Sequence, residues 1–133
     1  MTDEEFFRHV PTRHIENDLP SPKAFQPRAS DQGLLSVNRS TLTTACDSHL
    51  LFTTPKPDGF SGKSEGDWAV TVEEVIGCTL TWRPDPIEAD PAQETPANLA
   101  HAVVDFTEAI DTSDAARRLR AFAVARGRRH PPP

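Results

Sequence analysis

Proline is the residue that most limits what this chain can fold into. Thirteen of the 133 residues are proline, and each one lacks a backbone amide donor and restrains the residue before it. With six glycines in addition, the composition predicts many turns and short regular elements. We predict an extended edge or loop over residues 17–27, a surface loop over 54–67 and an extended acidic loop over 83–96.

Five stretches have the pattern of β-strands. The first could be a strand with Phe7 facing inward or a frayed helical turn opened by Thr2 and Asp3, and we favour the strand. The second follows a turn signal at Asp31-Gln-Gly33. The others alternate apolar and polar side chains, which is typical of half-buried strands. The predicted strands cover residues 5–10, 34–37, 68–72, 78–82 and 101–106.

Three stretches favour helices. The middle one has the strongest local signal, because Thr71-Val-Glu-Glu74 has the form of a capping box in which Glu74 reaches back to the Thr71 amide. The other two combine an apolar stripe with a hydroxyl or carboxyl side chain that can cap the first turn. The predicted N-caps are Ser40 or Thr41 for the first helix, Thr71 for the second and Ser113 for the third, where Asp114 adds a favourable first-turn charge. Gly77 and Gly127 are the predicted ends of the last two helices.

This order of elements predicts an α+β fold in one small domain over residues 5–127. We expect a mixed, mostly antiparallel sheet with about three helices on one face. Residues 128–133 form a basic, proline-rich end that we expect to be disordered. No apolar run approaches the length that crosses a bilayer.

Charge is divided unevenly along the chain. Residues 1–116 carry eight basic and twenty acidic side chains, and residues 117–133 carry six arginines and no acid, so a net charge of −6 combines −12 with +6. An acidic body steers association with a basic partner. The leading interpretation is therefore a small acidic cytosolic protein that binds another protein, of the kind encoded beside a toxin or a defence effector.

The basic end suggests residues for such a contact. Arg117, Arg120, Arg128 and Arg129 are the predicted partner-binding residues. Nucleic acid is disfavoured as a partner because the chain is acidic overall and no aromatic side chains alternate with these arginines for base stacking. The acidic N-terminus differs from a secretory signal, so we expect a cytoplasmic protein. The oligomeric state is left open.

Cysteine and histidine give no recognised metal motif. His9 and His14 flank Pro11, Cys46 and His49 lie one helical turn apart, and neither spacing matches a known zinc knuckle. Cys46 and Cys78 are equally well explained as small apolar residues with free thiols. We predict no metal site and no cofactor.

A scattered polar set supports the alternative function. Arg8, Ser36, Arg39 and His101 lie near the ends of predicted strands, and transferases that use a dinucleotide often place an arginine on an early strand and a serine on a later one. The alternative is thus an enzyme that acts on a nucleotide or a nucleic acid. An enzyme should bring these four side chains around one concave pocket.

Much of the chain resembles a set of small bacterial proteins of unknown function. The likeness covers residues 7–39, through Arg8-His-Val-Pro11, Ser21-Pro-Lys-Ala-Phe25 and Leu35-Ser-Val37, and continues over residues 68–80 and at Asn98-Leu-Ala-His-Ala102. It also includes Asp85-Pro86 and the terminal Ala125-Arg-Gly127. The resemblance implies a single domain and a bacterial source, and it assigns no functional residue.

Overall fold

A five-stranded antiparallel sheet organises the fold, as seen in a computed structural model that describes residues 4–54, 63–93 and 96–131. The sheet has the strand order β5-β1-β4-β7-β6, and a separate two-stranded hairpin consists of β2 and β3. The α+β class predicted from the sequence is confirmed. The strands are β1 (Glu5–His9), β2 (Ile15–Glu16), β3 (Leu19–Pro20), β4 (Leu34–Arg39), β5 (Asp67–Thr71), β6 (Thr81–Pro84) and β7 (His101–Asp105); the helices are α1 (Ala45–Thr53), α2 (Val72–Gly77) and α3 (Thr112–Arg126).

One face of the sheet carries the main hydrophobic core. Residues directly opposite each other in paired strands share a face, and Phe6 opposes Val70 while Val37 opposes Ala102. These side chains are buried with residues of α2 and α3, including the fully buried Leu119. Helices α2 and α3 therefore cover this face, and the apolar stripe of α3 is what holds it there.

The opposite face is partly polar and is covered by α1. Phe7, Ser36 and Asn38 point to this side because they alternate with the core-facing residues of β1 and β4. Ser48 of α1 accepts a hydrogen bond from Asn38 Nδ2 at 2.8 Å. Of α1, Ser48 is the residue that is fully buried, so this helix is attached through polar contacts as well as through apolar ones.

The neighbouring strands β1 and β4 separate along their length. Strand β1 pairs with β4 only at Phe6 and Phe7, whereas its pairing with β5 continues to His9. Beyond Phe7, the side chain of Arg8 spans the gap and donates to the Ser36 carbonyl at 3.1 Å. This divergence opens a space between the two strands.

The strand predictions succeeded in position but not in every boundary. The strands predicted at residues 5–10, 34–37, 68–72 and 101–106 are confirmed as β1, β4, β5 and β7. The strand predicted over 78–82 is wrong in its start, because α2 runs to Gly77 and Thr79 adopts a left-handed conformation with φ of 63°. Extended pairing begins only at Thr81.

The capping box of α2 is confirmed. Glu74 N donates to Thr71 Oγ1 at 3.1 Å, and Thr71 N donates to Glu74 Oε1 at 2.9 Å. The predicted left-handed stop at Gly77 is wrong, since the residue remains within the helix and Cys78 follows as its C-cap. Helix α3 ends at Gly127 as predicted, with φ of 92°.

The predicted caps of α1 and α3 are wrong for an identifiable reason. Ser40 Oγ accepts a hydrogen bond from the Glu5 amide and the Thr41 hydroxyl donates to Glu4, so both hydroxyls fix the start of β1 instead. Thr44 caps α1 by accepting from the Asp47 amide. Asp111 caps α3 by accepting from the Asp114 amide, two residues before the predicted Ser113.

The C-terminal segment lies along the outer edge of β5. Asp67 N donates to the His130 carbonyl at 2.7 Å, and Arg129 N donates to the Asp67 carbonyl at 2.8 Å. A Cβ added to Gly66 would lie 2.5 Å from the His130 oxygen, so only glycine permits this close approach. Residues 128–130, for which we expected disorder, thus contact the sheet; residues 132–133 and most of the loop predicted at 54–67 lie outside the described residues.

Within the described ranges, none of the helices combines the length and the apolar character needed to cross a bilayer.

Candidate functional site

A cavity of about 920 Å³ lies where β1 and β4 separate. Its volume is in the range of small-molecule sites. Residues of β1, β4, β7 and α1 contribute to its wall, together with the segments that follow β1 and precede β4. The lining residues are Arg8, His9, Pro11, Thr12, Arg13, His14, Gln26, Arg28, Asp31, Ser36, Val37, Asn38, Ser48, Leu51, Phe52, Lys63, Ile87, Pro96, Asn98 and His101.

The lining is strongly cationic although the whole chain carries a net charge of −6. Arg8, Arg13, Arg28 and Lys63 lie on the wall, and Asp31 is the one carboxylate among the described lining residues. Asp31 is paired with Arg28 through two hydrogen bonds of 3.1 and 3.2 Å, and this hydrogen bonding lowers the pKa of Asp31. Among the described lining residues, the charges of Arg8, Arg13 and Lys63 therefore have no balancing carboxylate on the cavity wall.

Arg8 is held rigidly in this wall. Its Nε donates to the Ala24 carbonyl at 2.8 Å and one terminal nitrogen donates to the Ser36 carbonyl. Burial lowers the pKa of Arg8 to about 10, which still leaves the guanidinium charged at neutral pH. Neutral carbonyls satisfy part of its hydrogen bonding without neutralising its charge.

The same positive potential acts on His14. Burial lowers the pKa of His14, and the charges of Arg13 and Arg8 lower it further. His14 Nδ1 is buried and has no hydrogen-bond partner in the described part of the chain. This side chain is therefore neutral at physiological pH, and its unpartnered nitrogen adds a polar group to the wall of the cavity.

Three of the four candidate catalytic residues meet at this cavity. Arg8, Ser36 and His101 line it. His101 Nδ1 lies 2.8 Å from the Asp85 carbonyl, and because a carbonyl only accepts, this nitrogen carries a proton. Arg39 does not line the cavity; it pairs with Glu4 at 3.1 Å and lies over the Trp82 ring, 5.1 Å from its centroid.

A chain of polar side chains fixes one side of the cavity. Asn98 Nδ2 donates to Asn38 Oδ1 at 3.0 Å, and Asn38 Nδ2 donates to Ser48 Oγ at 2.8 Å. The chain joins the loop before β7 to β4 and to α1. Asn38 and Ser48 are buried, so their mutual hydrogen bonds keep the wall in place without a desolvation penalty for unpaired groups.

A second cluster lies next to the cavity. The carboxylate of Asp67 is fully buried, and its Oδ1 is 2.7 Å from His9 Nδ1 and 3.4 Å from His49 Nδ1. The His9 ring also stacks on Phe52, with ring centroids 4.3 Å apart. His9 therefore belongs both to the cluster and to the cavity wall.

The predicted partner-binding arginines all make contacts within the chain. Arg117 pairs with Asp114, and Arg120 donates to the Pro20 carbonyl at 2.9 Å. Arg129 pairs with Glu5 and Arg128 donates to the Pro131 carbonyl. Their role in partner binding stays a prediction.

Sequence reasoning missed the cationic wall and Asp67. Arg13, Arg28 and Lys63 are separated by loops, and no spacing links them. Asp67 falls at the end of a segment that reads as a surface loop, although it directly precedes the alternating residues 68–72. The alternating pattern could have been extended back by one residue. Asp67 would then belong to the strand and share a face with Ala69, opposite to the face of Trp68.

Comparisons of the chain with protein-family models, with curated proteins and with solved structures found no match.

Proposed function

We propose that the protein binds a phosphate-bearing small molecule of nucleotide size in the cavity between β1 and β4. The observation that carries the proposal is the charge of the wall: among its described residues, Arg8, Arg13, Arg28 and Lys63 are accompanied by one carboxylate, that of Asp31. Arginine is suited to phosphate because its planar group donates two parallel hydrogen bonds. In a chain with a net charge of −6, such a concentration of cations favours an anionic ligand.

The shape of the site supports a small molecule rather than a polymer. The cations line one concave space, whereas a nucleic-acid backbone is bound by a positively charged groove that tracks it. Val37, Leu51 and Phe52 add apolar area to the same wall. A ligand with an anionic end and a flat or apolar end, such as a nucleotide, matches both parts.

Binding can be measured by calorimetry with ADP, and with adenosine as the matched ligand that lacks phosphate. We expect ADP to bind and adenosine to bind much more weakly. Arg13→Ala and Lys63→Ala are suitable variants because both side chains are exposed. Each should weaken ADP binding about two- to fivefold, the effect of roughly 0.5–1 kcal/mol for an exposed charge.

Two further variants test the electrostatic argument. Asp31→Asn releases Arg28 from its ion pair and should strengthen ADP binding, whereas Arg117→Ala, on the exposed side of α3, should leave it unchanged. Added salt should weaken binding of ADP more than that of adenosine. Equal affinity for ADP and adenosine, or equal losses for Arg13→Ala and Arg117→Ala, would contradict the proposal.

A further inference from the structure

His9, Asp67 and His130 lie side by side across three neighbouring segments. His9 of β1 directly opposes Asp67 of β5, and Asp67 in turn forms an antiparallel bridge with His130. Opposed residues project to the same face, which here is the face covered by α1. His49 of α1 reaches down to this row, and its ring centroid is 5.1 Å from that of His130. Two imidazoles, those of His9 and His49, thus lie against the Asp67 carboxylate.

The carboxylate is not satisfied by these neighbours alone. Asp67 is fully buried, and its Oδ1 is hydrogen-bonded to His9 Nδ1. Its Oδ2 has no hydrogen-bond partner in residues 4–54, 63–93 and 96–131. His49 Nδ1 is likewise buried without a hydrogen-bond partner there. Asp67 Oδ2 and His49 Nδ1 are thus buried polar atoms without partners, which costs free energy unless a further group, such as a bound cation, satisfies them.

The spacing of these atoms suits a metal ion. One ligand atom from each of His9, His49 and Asp67 lies within 4.8 Å of the others. Two ligands about 2.1 Å from a tetrahedral Zn²⁺ are about 3.4 Å apart, and His49 Nδ1 is 3.4 Å from Asp67 Oδ1. The distance of 2.7 Å between His9 Nδ1 and Asp67 Oδ1 is shorter, so these two atoms move apart when the metal binds.

We propose that His9, His49 and Asp67 form a site for Zn²⁺ or a similar divalent transition metal. Imidazole nitrogen with carboxylate oxygen is a ligand set that such ions prefer. Water can complete the remaining position of such a site. This site differs from our expectation of no metal, because that expectation considered His9 and His49 without Asp67.

The surrounding structure supports this role. The backbone of Asp67 is held on both sides, by β1 and by the C-terminal segment through the Asp67 N to His130 O and Arg129 N to Asp67 O hydrogen bonds. Stacking on Phe52 fixes the plane of the His9 ring. Ligands oriented in advance by their neighbours bind a metal with less loss of side-chain freedom.

The test uses the full, untagged chain, stripped with a chelator and titrated with Zn²⁺ alone in calorimetry. We expect one Zn²⁺ per chain, a higher melting temperature with Zn²⁺, and d–d absorption of a tetrahedral site with Co²⁺. His49→Ala and His9→Ala should each weaken Zn²⁺ binding about a hundredfold or more, since loss of outer-sphere partners alone costs about 10–100-fold. His14→Ala and His101→Ala are the matched controls and should bind as the wild type does.

Asp67→Asn is a weaker probe because a buried residue at this position affects folding, so the histidine variants and the Co²⁺ spectrum decide the matter. A chain that binds no Zn²⁺ at micromolar concentrations overturns the proposal. Binding that survives both His9→Ala and His49→Ala also overturns it, and places the ion elsewhere. No nucleotide is present in this titration, so its failure and the failure of the proposed phosphate site are separate results.

Discussion

The ion pair between Arg126 and Glu74 joins the end of α3 to α2 and allows a quantitative test. Arg126 donates to both Glu74 oxygens, at 3.0 and 2.8 Å, and also to the Ala69 carbonyl at 2.9 Å. The side chains are only 21% and 17% exposed. Burial raises the pKa of Glu74, but the hydrogen bonds from Arg126 and from the Thr71 amide outweigh it, and the net pKa lies below the ordinary 4.5.

We expect Arg126→Met to lower the free energy of unfolding by about 2 kcal/mol at neutral pH. Hydrogen bonds to charged groups contribute about 1.5–3 kcal/mol, whereas exposed pairs contribute only about 0–1 kcal/mol. The Arg126–Glu74 pair is largely buried and falls in the lower part of the first range. For a chain of this length the melting temperature should fall by about 8 °C. Arg117→Met is the matched control on the same helix, because the exposed Arg117–Asp114 pair should contribute almost nothing.

The pH dependence gives a second, independent readout. The folded pKa of Glu74 is lowered, so the stability it contributes is present above its ordinary pKa of 4.5 and is lost as the pH falls through the folded value. The difference between wild type and Arg126→Met should therefore shrink below about pH 4.5. Urea unfolding followed by circular dichroism across pH measures this. A difference that is the same at all pH values, or no larger than for Arg117→Met, would refute the reasoning.

Three other predictions follow from local geometry. Thr71→Ala should cost about 1 kcal/mol in thermal or urea unfolding because it removes the N-cap acceptor, and an unchanged melt would count against the cap. Cys46 is exposed and Cys78 is buried, and burial raises the pKa of Cys78. A thiol reagent should therefore modify Cys46 in the native protein and Cys78 only after unfolding; equal modification rates of the two thiols in the native protein would contradict this. Gly66→Ala should destabilise the chain and expose the C-terminal segment to proteolysis, because its Cβ meets the segment at 2.5 Å, and unaltered digestion would show that the segment is held by other contacts.

Features that depend on a few consecutive residues were predictable from the sequence. The capping box at Thr71 and Glu74, the strand at residues 101–105 and the end of α3 at Gly127 follow from side-chain chemistry within one turn or one strand. The α+β class follows from their order. The cap of α1 was not predictable in this way, because Ser40 and Thr41 have the right chemistry but their hydroxyls bond to the start of β1.

The candidate sites depend on contacts between distant residues, and these only the tertiary structure decides. The cavity exists because β1 leaves β4 after Phe7, and no property of either strand alone specifies that separation. Asp67 is acidic and follows a loop, so the sequence alone predicts an exposed side chain. Pairing of its strand with β1 and with the C-terminal segment instead buries it between His9 and His130. Sequence determines which groups are available for chemistry; strand register and helix docking determine which of them meet, because burial and pairing energies belong to the packed chain as a whole.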